Sequence, residues 1–350
     1  MMLALRDPLG HAGRMVPAAV RECANILGLS HVELRVGDLD RSRAFYVDLL
    51  GFTESERDRE RLYLRCVEDR QHHSLVLRQA PQAGLGHIAY KVADDESLDA
   101  LARRFQHLGL PTRWLAAGDE RATGRALRMQ DPLGFPIEYH AAMEETPWLL
   151  QEYHRHRGAA PVRVDHVNVL VPDARTAHEW YTEELGFRCS EYTESDPPES
   201  RLWASWLFRK PTVHDVAIMT GPGPAAHHVG VTVKDEMAVI RVCDMLASAG
   251  FRDALERGPA RHGISNAFFE YVRDPDGNRV EFYTSDYLTA DPGFKPIRWR
   301  LDDPRRQTLW GPPPPRRWFE EFMPVESVMD GQLQAIAAPA MRAIPTYVTD

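Results

Sequence analysis

The chain has 350 residues, 43% of them hydrophobic and 27% charged, a composition that supports a sizeable core and excludes disordered, collagen-like and disulfide-scaffold proteins. Asp and Glu outnumber Lys and Arg by 51 to 42, for a formal charge of −9, and no block of five or six basic residues occurs. A partner gripped through nucleic-acid phosphates is therefore not expected.

Residues 1–29 have no counterpart elsewhere in the chain. Arg6, Asp7, Arg14 and Arg21 break any signal-peptide core there. No window reaches the roughly 18 apolar residues of a membrane span, so a cytoplasmic protein with no membrane partner is expected. Cys23, Cys66, Cys189 and Cys243 lie far apart with no C-x-x-C pair, which predicts free thiols in a reducing compartment.

Residues 30–52, SHVELRVGDLDRSRAFYVDLLGF, predict an alternating strand, an acidic turn and a helix stopped by Gly51. Residues 86–110, GHIAYKVADDESLDALARRFQHLGL, predict a second strand, turn, amphipathic helix and glycine stop. Residues 131–140, DPLGFPIEYH, predict a D-P-x-G turn and a strand carrying Glu138. All three patterns return at 165–187, 227–251 and 274–283, with offsets of 135, 141 and 143 positions. That drift suits small loop insertions in a duplicated unit.

The expected fold is α+β, with curled sheets wrapping around a pocket. The expected divisions are an extension at 1–29, a paired domain at 30–145, a second at 160–285, a Pro- and aromatic-rich cover at 286–324 and a tail at 325–350. The tail reads as a short helix followed by loose chain.

In His166-Val167-Asn168-Val169, alternation places His166 and Asn168 on one strand face. Glu281 and Tyr283 share a face in the strand after D-P-D-G, and His228 opens the run HVGVTV. Three strands can therefore aim His166, His228 and Glu281 into one cavity. Two imidazoles and one carboxylate form the facial triad of Fe(II) oxygenases, which leaves open positions for a bidentate substrate and O₂; Mn(II) accepts the same donors. A lone strand His or Glu is more often structural. What favours a site is that all three fall at matching positions of a repeat.

The runs RKPTVHDVAIMTGPGPAAHHVGV, ERGPARHGISNAFFEYVRDPDGNRVEFYTSDY and DDPRRQTLWG extend this reading. On them the chain, over about 30–320, resembles the type I extradiol ring-cleaving dioxygenases of the vicinal oxygen chelate superfamily, most nearly the homoprotocatechuate (3,4-dihydroxyphenylacetate) 2,3-dioxygenase branch. The resemblance implies βαβββ modules paired in two domains, with one working metal centre in the second. It makes His166, His228 and Glu281 the ligands of Fe(II), or Mn(II), and His214 the acid/base. Asn168 and Tyr271 would face the oxygen and substrate side. Trp206, Arg257, His262 and Arg306 would shape the substrate pocket, Arg306 being preferred over the adjacent Arg305. It further implies a cytoplasmic homotetramer that uses O₂ to open a carboxylated catechol to a muconate semialdehyde. A guanidinium fork matches a carboxylate in two parallel hydrogen bonds, which favours an acidic side chain on the ring.

The first half repeats the triad as His31, His87 and Glu138, and His73 aligns with His214. Glu33 stands at the Asn168 position, however, and Arg128 at the Tyr271 position. The resemblance implies no catalytic metal there, so these residues read as relics of duplication. Two competing readings are another metal-dependent reaction on the same fold and a non-enzymatic protein that binds an aromatic ligand. The first has no need of His214 and Tyr271; the second should lack the triad.

Overall fold

The computed structural model describes residues 25–339 and Met341. Cys23, most of the predicted extension and residues 342–350 lie outside the described residues. Cys66 and Cys243 are free thiols. Among the described residues, no helix is long and apolar enough to cross a membrane.

The first half builds one eight-stranded sheet. Its strands are β1 (Ile26–Val36), β2 (Thr53–Arg57), β3 (Arg61–Arg65), β4 (Leu75–Gln79), β5 (Gly84–Val92), β6 (Thr112–Leu115), β7 (Ala126–Gln130) and β8 (Pro136–His140). Their order is β2-β3-β4-β1-β5-β8-β7-β6. The second half contributes β9 (Arg163–Val171), β10 (Arg188–Glu194), β11 (Leu202–Phe208), β12 (Val216–Thr220), β13 (Ala225–Thr232), β14 (Leu255–Arg261), β15 (Phe268–Arg273) and β16 (Arg279–Thr284). Read from β10, these run β10-β11-β12-β9-β13-β16-β15-β14, strand for strand the order of the first sheet. The duplication read from sequence is thus a duplication of topology. It yields the mixed α+β architecture of paired βαβββ units. β17 (Ile297–Arg300) lies parallel to β10 at the edge, and β18 (Met323–Pro324) pairs with β13.

Each unit places a helix between its first strand and its later ones: α1 (Leu39–Arg43), α2 (Asp95–His107), α3 (Ala174–Glu179) and α4 (Glu236–Ser248). All four start on an aspartate, Asp38, Asp94, Asp173 or Asp235, whose carboxylate accepts from backbone N–H groups in the first turn. That cap satisfies donors the helix cannot satisfy itself. α1 and α3 end by widening into a π turn before Gly51 and Gly186, both at positive φ. In the D-P-x-G turns, Asp131 accepts from Leu133 and Phe135, and Asp274 from Asp276 and Asn278.

The apolar strand faces and the helices share one continuous core across both halves. It includes Phe45, Ile88, Tyr90, Val167, Val169, Val229 and Phe282. Tyr46 and Asp274 join the halves through a buried hydrogen bond of 3.0 Å. The opposite face of each sheet curls around buried polar residues. A last segment, α5 (Arg317–Glu320) with β18, crosses the second sheet. The short helix expected from residue 325 is absent among the described residues. Val325 instead bridges to Leu85, Glu326 to Leu333 and Ala337 to Gly223. The reversal at Asp330-Gly331, with Gly331 at positive φ, cannot sit inside a helix. Glu326 forms ion pairs with Arg35 and Arg78 of the first sheet.

Gly51 has φ +91°, and a Cβ on it would lie 1.9 Å from the Arg157 carbonyl oxygen. Replacing Gly51 with Ala combines backbone strain with a clash between backbones that cannot yield. The expected loss in urea unfolding is at least about 2 kcal/mol; a change within ~0.5 kcal/mol would contradict this packing.

Candidate metal centre

His166 sits on β9, His228 on β13 and Glu281 on β16, three adjacent strands at the middle of the second sheet. Parallel and antiparallel registers bring the three positions side by side, with Gly230 opposite both His166 and Glu281. His166 Nε2 lies 3.3 Å from His228 Nε2 and 3.0 Å from Glu281 Oε2, and His228 Nε2 lies 3.3 Å from that same oxygen. Donors bound at right angles to one ion by bonds of about 2.1 Å stand about 3.0 Å apart. The three donor atoms therefore already define one face of an octahedron, and they fit a divalent cation.

The site has room because Gly230 lacks a side chain: a Cβ there would lie 2.1 Å from His166 Cε1. His166 Nδ1 faces Asp165 at 3.4 Å, and Asp165 is also held by Arg163 and Tyr283. His228 Nδ1 faces His227 Nδ1 at 2.8 Å, and His227 Nε2 donates to the Trp318 carbonyl at 2.9 Å. Burial pushes His228 down to about 4, with Glu281 offsetting only part of that. Burial also opposes charge on His166, but Asp165 and Glu281 outweigh it and lift that ring to about 8. Burial raises the Glu281 carboxyl, yet the His166, His228 and His262 rings gathered around it hold it well below the usual range.

A cavity opens onto the triad. All ten residues expected from sequence border it: the triad, Asn168, His214, Tyr271, Trp206, Arg257, His262 and Arg306. The His214 ring lies 3.9 Å from the His166 ring, and burial with His166 beside it drives its pKa well below the ordinary value. Its Nδ1 and the Asn168 Oδ1 are buried without a hydrogen-bond partner. His262 gives its Nδ1 proton to the Gln307 carbonyl, so Nε2 accepts from the Tyr271 hydroxyl at 3.0 Å. Arg257 donates to the Gln307 carbonyl and Thr308 Oγ1 and lies over Trp318. Arg306 is 1% exposed and covers Trp203, whereas Arg305 pairs with Asp303 at the surface.

Sequence reasoning missed Trp203, Met219, Ile264, Gln307 and Trp318, which also line the wall. It also missed His227, the first His of the quoted H-H-V-G run. The doubled histidine was the available signal.

In the first half, His31 Nε2 lies 3.0 Å from His87 Nε2 and 4.0 Å from Glu138 Oε1. The three offer a second candidate donor set, but Arg128 holds the other oxygen of Glu138.

Residues 28–139 and 163–282 match the Glyoxalase/Bleomycin resistance protein/Dioxygenase superfamily. A manganese-dependent 2,3-dihydroxybiphenyl 1,2-dioxygenase of Geobacillus genomosp. 3 is 30% identical over 299 residues, which cover 82% of this chain and 94% of that one. A metapyrocatechase of Pseudomonas sp. (strain CF600) is 32% identical over 283 residues, 78% of this chain and 90% of the relative. The solved homoprotocatechuate 2,3-dioxygenase of Brevibacterium fuscum, in complex with 3,4-dihydroxyphenylacetate, superposes with a TM-score of 0.86 at 40% identity, over 89% of this chain and 97% of that one. The chain belongs to this superfamily, in its extradiol catechol dioxygenase branch.

Gly230→Ala should displace the His166 ring and cut the Fe(II) or Mn(II) retained after purification at least tenfold, measured by elemental analysis. Full metal content in the variant would show that the ring has another place to go.

Proposed function

We propose that this enzyme opens the ring of 3,4-dihydroxyphenylacetate, or a close carboxylated catechol, beside its diol, placing both atoms of O₂ in a muconate semialdehyde. The observation that favours this substrate is a single cavity with the triad on its floor and two buried arginines, Arg257 and Arg306, in its wall. A biphenyl diol offers no carboxylate to those guanidinium groups. The solved structure with 40% identity is named as a complex with 3,4-dihydroxyphenylacetate, which supports the same choice.

His166, His228 and Glu281 would hold the cation. Fe(II), or Mn(II) on the same donors, supplies charge that favours the ionised diol and a meeting place for diol and O₂. Burial keeps His214 neutral, so it begins as a proton acceptor. It would take a proton from a diol hydroxyl and return it to oxygen during ring opening. Asn168 and Tyr271 would orient the oxygen side, with His262 fixing the Tyr271 hydroxyl. Trp206 would pack the ring, and the arginines would set its direction in the cavity. We further assign the protein to the cytoplasm, as a homo-oligomer that light scattering would size as a tetramer. We place the two domains at 30–145 and 160–285.

Turnover of 3,4-dihydroxyphenylacetate should exceed that of unsubstituted catechol, and Arg257→Leu or Arg306→Leu should raise KM for the acid roughly 10- to 100-fold, the value of a charged hydrogen-bonded pair. Equal kcat/KM for acid and catechol in the native enzyme would remove the carboxylate reading. His214→Phe should leave substrate binding within a few-fold, followed spectroscopically without O₂, while ring opening slows about 10²- to 10⁴-fold. Parallel loss of both would remove the acid/base role.

A further inference from the structure

The two halves hold the same donor triad on the same strands, yet their outer partners differ. At the position before the first triad histidine, the second half has Asp165 and the first has Ser30. Opposite that histidine, the second half has Gly230 and the first has Ala89. Before the second triad histidine, the second half has His227 and the first has Gly86. A Cβ at 86 would lie 2.3 Å from Glu33 Oε1, so a side chain there would have to displace the Glu33 carboxylate. The first-half triad lacks partners to match: His31 Nδ1 is buried without a hydrogen bond, and His87 Nδ1 stands 3.7 Å from Glu33.

The hydrogen-bond inventory of imidazole makes the His227 contact directional. A neutral ring carries one N–H and one lone pair. The Trp318 carbonyl can only accept, so the proton of His227 sits on Nε2. Its Nδ1 is then an acceptor, so the 2.8 Å contact requires a proton on His228 Nδ1. The lone pair of His228 is left on Nε2, the atom that faces His166 and Glu281. The backbone of His227 is pinned separately, because Arg279 donates to its carbonyl at 3.2 Å while paired with Glu256.

We propose that His227 is a positioning residue that acts through His228: a relay from the Trp318 carbonyl through both rings fixes the tautomer of His228 and keeps its Nε2 lone pair free for the cation. The proposal rests on His228 being a metal ligand. It also accounts for the asymmetry of the duplication. The second-half triad has partners that set both imidazoles for binding, whereas in the first half His31 Nδ1 has none and His87 Nδ1 has only the Glu33 carboxylate at 3.7 Å.

The test is Mn(II) titration of the metal-depleted full chain, following bound against free ion. His227→Leu removes the acceptor and should weaken Mn(II) binding about 10- to 100-fold, the usual effect of losing the outer partner of a ligand histidine. In His227→Asn, Oδ1 can stand near the lost Nδ1 and accept, while the link to Trp318 is broken; binding should return to within about threefold of the native chain. Equal affinity in native and Leu proteins overturns the proposal, as does an Asn variant as weak as Leu. Failure of the native chain itself to bind would sink the metal-site reading instead. If the Leu variant does not fold, ¹⁵N spectra of histidine-labelled, metal-depleted native chain decide. The proposal expects Nδ1–H on His228 and Nε2–H on His227; Nε2–H on His228 overturns it.

Discussion

Two imidazole nitrogens and a carboxylate oxygen lie about 3 Å apart in an interior without bulk water. Lone pairs crowded this closely repel one another, and burying a carboxylate is costly unless a positive charge meets it. Much of the second half answers that one constraint. Gly230 gives the His166 ring its space, and three central strands in register bring the donors together. Asp165 and His227 occupy the ring nitrogens that face away from the centre. The aromatic wall of Trp203, Trp206, Tyr271 and Trp318 keeps the surroundings apolar, which strengthens every charge interaction inside.

The first sheet shows how the same backbone behaves when that constraint is met differently. Its histidines and Glu138 are equally buried, but Arg128 brings a fixed positive charge to the carboxylate. Glu33 forms ion pairs with Arg61 and Arg78. Here buried acid is neutralised by neighbouring guanidinium groups. The sheet still contributes, because its apolar face shares a core with the second half and supports β9 and β13 from behind.

The parts of this design that were legible in the sequence are those governed by short periods. Alternation along HVNV and RVEFY, the glycine stops at 51 and 186 and the D-P-x-G turns are local signals, and the duplication repeated each of them. The outer partners were harder to read. His227 meets the Trp318 carbonyl across 91 positions, and a backbone carbonyl leaves no mark in the residue alphabet. Trp203, Met219 and Trp318 look like ordinary core residues until the strands curl. The tail misled because its alanines and isolated apolar residues suit a helix, whereas pairing with Leu85 and Gly223 and the reversal at Gly331 hold it extended.

The contact of Glu326 with Arg35 and Arg78 has a consequence for biogenesis. These partners are separated by 291 and 248 positions, so the amino-terminal sheet emerges from the ribosome long before its acidic counterpart exists. Until residue 326 is made, Arg78 has Glu33 and Arg35 has the Gln82 carbonyl, with solvent for the rest. Final consolidation of that sheet therefore waits for the stretch around residue 326, and a truncation upstream of it leaves an otherwise complete half with an unfinished edge.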